Sequence, residues 1–121
     1  MRKEKEIDWA NAADCPVRNV LDRFGDKWST LILLLLAQGE PLRFGALHRS
    51  IGTISQKMLT VSLKKLESDG LVRRTVYPEV PPRVEYSLTD RSRSLVPILR
   101  QLVAWANEHM GDIRADRAAT A

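Results

Sequence analysis

The sequence predicts a mainly α-helical domain with one small β-hairpin, on three observations. Up to Gly70 the apolar residues recur at helical spacing, punctuated by Gly25, Gly39, Gly52 and Gly70. Beyond Gly70, two stretches rich in Val, Tyr and Thr flank Pro78-Glu79-Val80-Pro81-Pro82, which cannot continue a ladder. After Thr89 the helical spacing resumes. With 121 residues, 44% of them hydrophobic, the chain can build one compact core, which argues against a multidomain enzyme.

Each element follows from local signals. Asp14 is a candidate N-cap and Pro16 suits a first turn, so a helix is expected through Phe24, burying Val17, Val20, Leu21 and Phe24 and stopping at Gly25. Asp26 caps a second helix, Lys27 to Gln38, whose Leu and Ile run covers nearly every face; Leu31 to Leu36 is expected to be core, with Trp28. Leu42 and Arg43 are extended before a short third helix, Phe44 to Ile51, with Phe44, Leu47 and Ile51 on one face. Gly52 and Thr53 break it, and Ser55 starts a longer helix to Asp69. On a wheel of 100° per residue, Leu59, Leu63 and Leu66 cluster on one side of that helix. Lys57, Val61, Lys64 and Lys65 lie opposite, with Gln56 and Thr60 on a flank.

Leu71 to Tyr77 and Arg83 to Leu88 then form the hairpin. Which face of its first strand points inward stays open, because Leu71 and Val72 are both apolar. Thr89 caps a last helix through Leu95, Ile98, Leu99, Leu102, Val103 and Trp105, long enough to extend past the domain. The boundaries expected are an extension over 1–13, the domain over 14–111 and a fraying tail over 112–121.

Helix, helix, helix, basic helix, hairpin, helix is the order of a winged helix-turn-helix. Charge placement agrees. The net charge is +4, and from Pro41 to Tyr86 eight bases face four acids, with eleven of each elsewhere. Such an excess favours a polyanionic partner, although a merely solvated basic face would look the same. The single Cys and two His lack the ligand set of a zinc site, and no cofactor motif, nucleophile–base pair or phosphate loop emerges, so neither metal, cofactor nor enzyme is expected. Met1 to Asp14 has no apolar export segment and no run approaches a membrane span; a cytoplasmic protein is expected.

Six phrases narrow the class: Cys15-Pro16-Val17-Arg18, Gly25-Asp26-Lys27-Trp28, Arg43-Phe44-Gly45, Ile54-Ser55-Gln56-Lys57-Met58-Leu59, Leu66-Glu67-Ser68-Asp69-Gly70-Leu71-Val72 and Pro81-Pro82-Arg83-Val84-Glu85-Tyr86. In this order they resemble the HxlR family of bacterial transcription regulators over Cys15 to Trp105. Departures fall at Asp90-Arg91-Ser92 and Gly52-Thr53. The resemblance implies a homodimer on a pseudo-palindromic operator in double-stranded DNA, more often a repressor than an activator. Its half-sites would lie about 34 Å or a multiple apart. A winged-helix module that binds proteins instead of DNA is the alternative.

The residues suited to DNA are those already placed. Gln56 offers a donor and an acceptor to adenine, unless it merely caps. Lys57 and Lys64 reach guanine edges or phosphates, and Thr60 and Val61 meet a thymine methyl. Ser55 suits a phosphate at the helix N-terminus. Arg83 follows the wing tip and suits a minor groove or a phosphate, and Arg43 stands where the extended segment meets the third helix. Arg73 and Arg74 are expected to pair with Glu85, and His48 and His109 to be ordinary surface or satisfied side chains.

A homodimer joined mainly by the terminal helices is expected, because Ile98, Leu102 and Trp105 continue an apolar stripe beyond what a small winged domain must cover; the alternative is that the stripe completes the monomer core, and Trp9 to Arg23 is a candidate contributor to the same contact. Cys15 is expected in the first turn of its helix, where amides and the helix dipole favour a thiolate and Arg18 adds charge, while Asp14 opposes it. The resemblance adds that several HxlR members sense thiol-reactive compounds through such a Cys, making a small-molecule or electrophile inducer a candidate partner. A lone Cys is more often a packed small hydrophobe.

Overall fold

A computed structural model describes residues 15–120. It holds α1 (Pro16–Phe24), α2 (Ser29–Gln38), α3 (Phe44–Ile51), α4 (Gln56–Ser68), β1 (Val72–Tyr77), β2 (Arg83–Leu88) and α5 (Asp90–Thr120). This is the mainly α fold with a hairpin that the sequence predicts. The proposed Asp14 cap, the 1–13 extension and the Trp9 segment lie outside the described residues.

The core forms where four helices and the hairpin base meet. Ile32, Leu33 and Leu36 of α2, Leu47 of α3, Leu59, Leu63 and Leu66 of α4, Val72, Leu88, Val96 and Leu99 are all buried together. Each such side chain contributes roughly 1.5–3 kcal/mol by leaving water. Both Leu71 and Val72 are buried, which answers the open question of the strand face: Leu71 precedes the strand and Val72 starts its inner row. The hairpin is antiparallel with Val72 opposite Leu88 and Tyr77 opposite Arg83. Leu42 adds a one-residue bridge, exchanging backbone hydrogen bonds of 2.9 and 2.8 Å with Tyr86.

Caps place the helices. Asp26 accepts from the backbone N–H of Trp28 at 3.0 Å and of Ser29 at 2.8 Å, and from the Ser29 hydroxyl at 2.6 Å. Burial raises the pKa of its carboxyl, but the bonds from Ser29, Trp28 and Lys65 outweigh this and bring it down to about 2. Lys27 and Trp28 wind as a turn, so α2 begins at Ser29 and not Lys27, with Trp28 in the N-cap position. At the other end, Thr89 and Ser92 cap α5 reciprocally: the Ser92 hydroxyl oxygen accepts from the Thr89 N–H at 3.0 Å. The Thr89 hydroxyl also donates to the Gly70 carbonyl at 2.7 Å, tying α5 to the turn after α4.

Four burial expectations fail. Leu31 of α2 is exposed, and so are Val17, Val20 and Leu21 of α1, because α1 meets the domain mainly along its Phe24 and Arg23 side. Amphipathic spacing shows that a face wants cover, not that its own chain covers it. Cys15 is the N-cap residue of α1, one position before the first turn, and is buried at 1% exposure. Finally, α5 runs through Gly111 to Thr120, past the expected boundary. Among the described residues no helix is long and apolar enough to cross a membrane.

Candidate nucleic-acid interface

The α3–turn–α4 unit is fixed by its own chemistry. Gly52 adopts φ 77°, a conformation costly for any residue with a Cβ, and its N–H donates to the His48 carbonyl at 2.9 Å. His48 Nε2 and the Ile54 carbonyl lie 3.0 Å apart, so this histidine is satisfied within the turn, as expected. Ser55 is the N-cap of α4 and its Oγ accepts from the Met58 N–H at 3.0 Å. The cap is therefore Ser55, which frees Gln56, while the Ser55 O–H remains able to donate to an anion.

Burying Leu59, Leu63 and Leu66 on one side of α4 forces the opposite side outward. Gln56, Lys57, Thr60, Val61 and Lys64 are all exposed and form one row. Thr60 donates its hydroxyl to the Gln56 carbonyl at 2.9 Å, leaving its methyl as the group suited to a thymine. Met58 is exposed as well, an apolar side chain on this surface that the sequence alone did not single out. Lys65 is withdrawn from it: its Nζ lies 3.3 Å from Asp26 Oδ2, pinning α4 to the cap of α2.

The wing differs from expectation in its pairing. Glu85 bonds neither Arg73 nor Arg74; its partner is Arg83, with 3.6 Å between Nε and Oε1. Arg83 Nη2 also lies 3.5 Å from Glu79, and its guanidinium sits 4.0 Å over the Tyr77 ring. The register explains this, because Tyr77 is directly opposite Arg83 while Thr75 is opposite Glu85. Arg83 thus buckles the wing, and its half-buried side chain is less free than the sequence implied. Arg73 and Arg74 are exposed and make no ion pair among the described residues. Arg43 is the exposed N-cap residue of α3, next to the Leu42 bridge to the wing.

A family model described as HxlR-like helix-turn-helix matches residues 23–114. The chain belongs to the HxlR-like helix-turn-helix family. Its relatives agree: an HTH-type transcriptional regulator of Halalkalibacterium halodurans is 52% identical over 95 residues, covering 78% of this chain and 84% of that one. Among solved structures, the regulator YtfH from Salmonella typhimurium is similar with TM-score 0.79 and 38% identity, covering 93% and 99% of the two chains. The redox regulator HypR in its reduced form has TM-score 0.78 and 40% identity over 83% of this chain and 98% of its own. This HxlR-like chain is therefore a winged-helix protein of a transcriptional-regulator family.

Proposed function

We propose that this chain is a sequence-specific DNA-binding regulator that acts as a homodimer and represses by occupying its operator. The observation that carries it is the exposed row Gln56, Lys57, Thr60, Val61 and Lys64 on a helix held rigidly by Ser55, Gly52 and the core. In the major groove such a row supplies an amide for adenine, methyls for thymine and two cations for guanine or phosphate. Ser55 holds a phosphate at the helix N-terminus, and Arg43 grips the backbone from α3. Arg83 keeps the wing stiff.

Two substitutions separate reading from gripping. Gln56→Ala should lose about 1–3 kcal/mol at one base-pair position and little elsewhere, measured by anisotropy on a set of single-substitution operators. Lys64→Ala should weaken binding on every duplex and lower the log–log salt slope by about 1. Equal behaviour of the two variants would contradict the assignment of α4.

Dimerisation uses the faces left bare on α1 and α5. Ile98, Leu102 and Trp105 are 60%, 58% and 53% exposed at a spacing that puts them on one side of α5. Cys15 is a candidate switch on the same assembly, a reading supported by the similarity to a protein named a redox regulator. Its thiol is buried, so attack requires the start of α1 to lift, and with no second Cys in the chain an oxidised Cys15 pairs with another subunit or takes a small-molecule cap. Diamide should lower operator affinity of the wild type and leave Cys15→Ser unaffected; an equal response in both removes Cys15 as the switch.

A further inference from the structure

Between α4 and the hairpin lies a recess of 380 Å³ lined by Thr60, Leu63, Lys64, Glu67, Arg74 and Tyr86. Its geometry follows from strand alternation. Val72 and Leu88 begin the inner face of the hairpin in the core, and Arg74 opposite Tyr86 is the next pair on that face. Thr60, Lys64 and Glu67 stand at positions i, i+4 and i+7 of α4, one stripe facing that pair. The recess therefore has an α4 wall and a hairpin wall, with a cation on each. Neither Lys64 nor Arg74 has an ion-pair partner among the described residues.

We infer that this recess is the seat of a DNA backbone phosphate, with Arg74 and Lys64 closing on it from opposite walls. The inference rests on the DNA-binding reading of α4 and adds Arg74 to it. One sugar-phosphate strand separates a major groove from the adjacent minor groove. With α4 in the first and the hairpin tip toward the second, that strand has to pass between α4 and the hairpin. The recess is the gap there, and it shares Thr60 and Lys64 with the outward row of α4. Arg74 supplies a planar fork suited to phosphate oxygens, and Lys64 a second charge. Glu67 stands one turn beyond Lys64 and repels an anion, which confines the phosphate to the Thr60 end. Arg73 is the internal control, since it is the neighbouring residue and points to the opposite face of the hairpin, opposite Ser87.

The test uses the full chain and the strongest duplex it selects. Arg74→Ala should lower affinity about tenfold on all duplexes and reduce the salt slope by about 0.9, while base preferences stay as in the wild type. Arg73→Ala should change affinity by less than about threefold. Replacing single operator phosphates by neutral methylphosphonates should reveal one position that costs the wild type at least as much as Arg74→Ala does, and costs that variant clearly less than it costs the wild type, because only the Lys64 contact is left to lose. Inorganic phosphate at constant ionic strength should not compete, which separates a backbone phosphate from a free anion. Equal losses in Arg73→Ala and Arg74→Ala, an altered base preference, an unchanged salt slope, a methylphosphonate effect as large in Arg74→Ala as in the wild type at every position, or competition by free phosphate would each overturn the proposal. A wild type that prefers no duplex sinks the regulator reading itself, and is distinguished because the failure precedes any substitution.

Discussion

Leu102→Glu should turn a dimer into a folded monomer and cost about 10²–10⁴ in affinity for a two-half-site operator. Leu102 is 58% exposed within one chain, so a carboxylate there disturbs no intramolecular packing. Across a subunit interface the same carboxylate is buried without a partner, which costs far more than the contact it replaces. The loss in DNA affinity is an effect of multivalency: a dimer delivers its second recognition helix at an effective concentration near the millimolar range, and a monomer has none. Sedimentation and operator binding check both parts, with the thermal transition showing that the protomer remains folded. A dimer that survives the substitution contradicts the α1–α5 interface. Truncation before Leu95 is a poorer test, because it removes Val96 and Leu99, which close the core.

Leu59→Ala should destabilise the domain by about 2–5 kcal/mol, a large part of the roughly 5–15 kcal/mol that holds such a domain together. Leu59 is fully buried in the first half of α4, among the side chains that join α3, α4 and the hairpin base. Its truncation leaves a cavity that the rigid α3–α4 turn cannot collapse around. Val61→Ala, two residues away on the exposed row, should stay within about 0.5 kcal/mol. Urea unfolding of both variants measures the contrast; equal losses would mean that α4 faces the other way.

Much of this was legible because local chemistry and tertiary structure agree. Gly39, Gly52 and Gly70 end elements where expected, Ser55 caps α4, and the Leu59, Leu63, Leu66 stripe turns Gln56, Lys57, Thr60, Val61 and Lys64 outward. What escaped the sequence depends on partners distant along it. Lys65 looks as free as Lys64, yet it meets Asp26, thirty-nine residues away, and leaves the exposed row of α4. Arg83 is drawn into the wing by Tyr77 and Glu79 only once the hairpin register is set, which also releases Arg74 from the expected pairing with Glu85. The apolar face of α1 reads as core by spacing, whereas its cover is not in the described chain.

Whether the chain reads DNA sequence is decided by selecting genomic fragments with the purified wild-type protein. A few fragments sharing a pseudo-palindrome should be recovered, among them DNA near the protein's own gene, with affinity that falls steeply and linearly as log salt rises. Equal affinity for all duplexes across the genome would contradict sequence-specific binding.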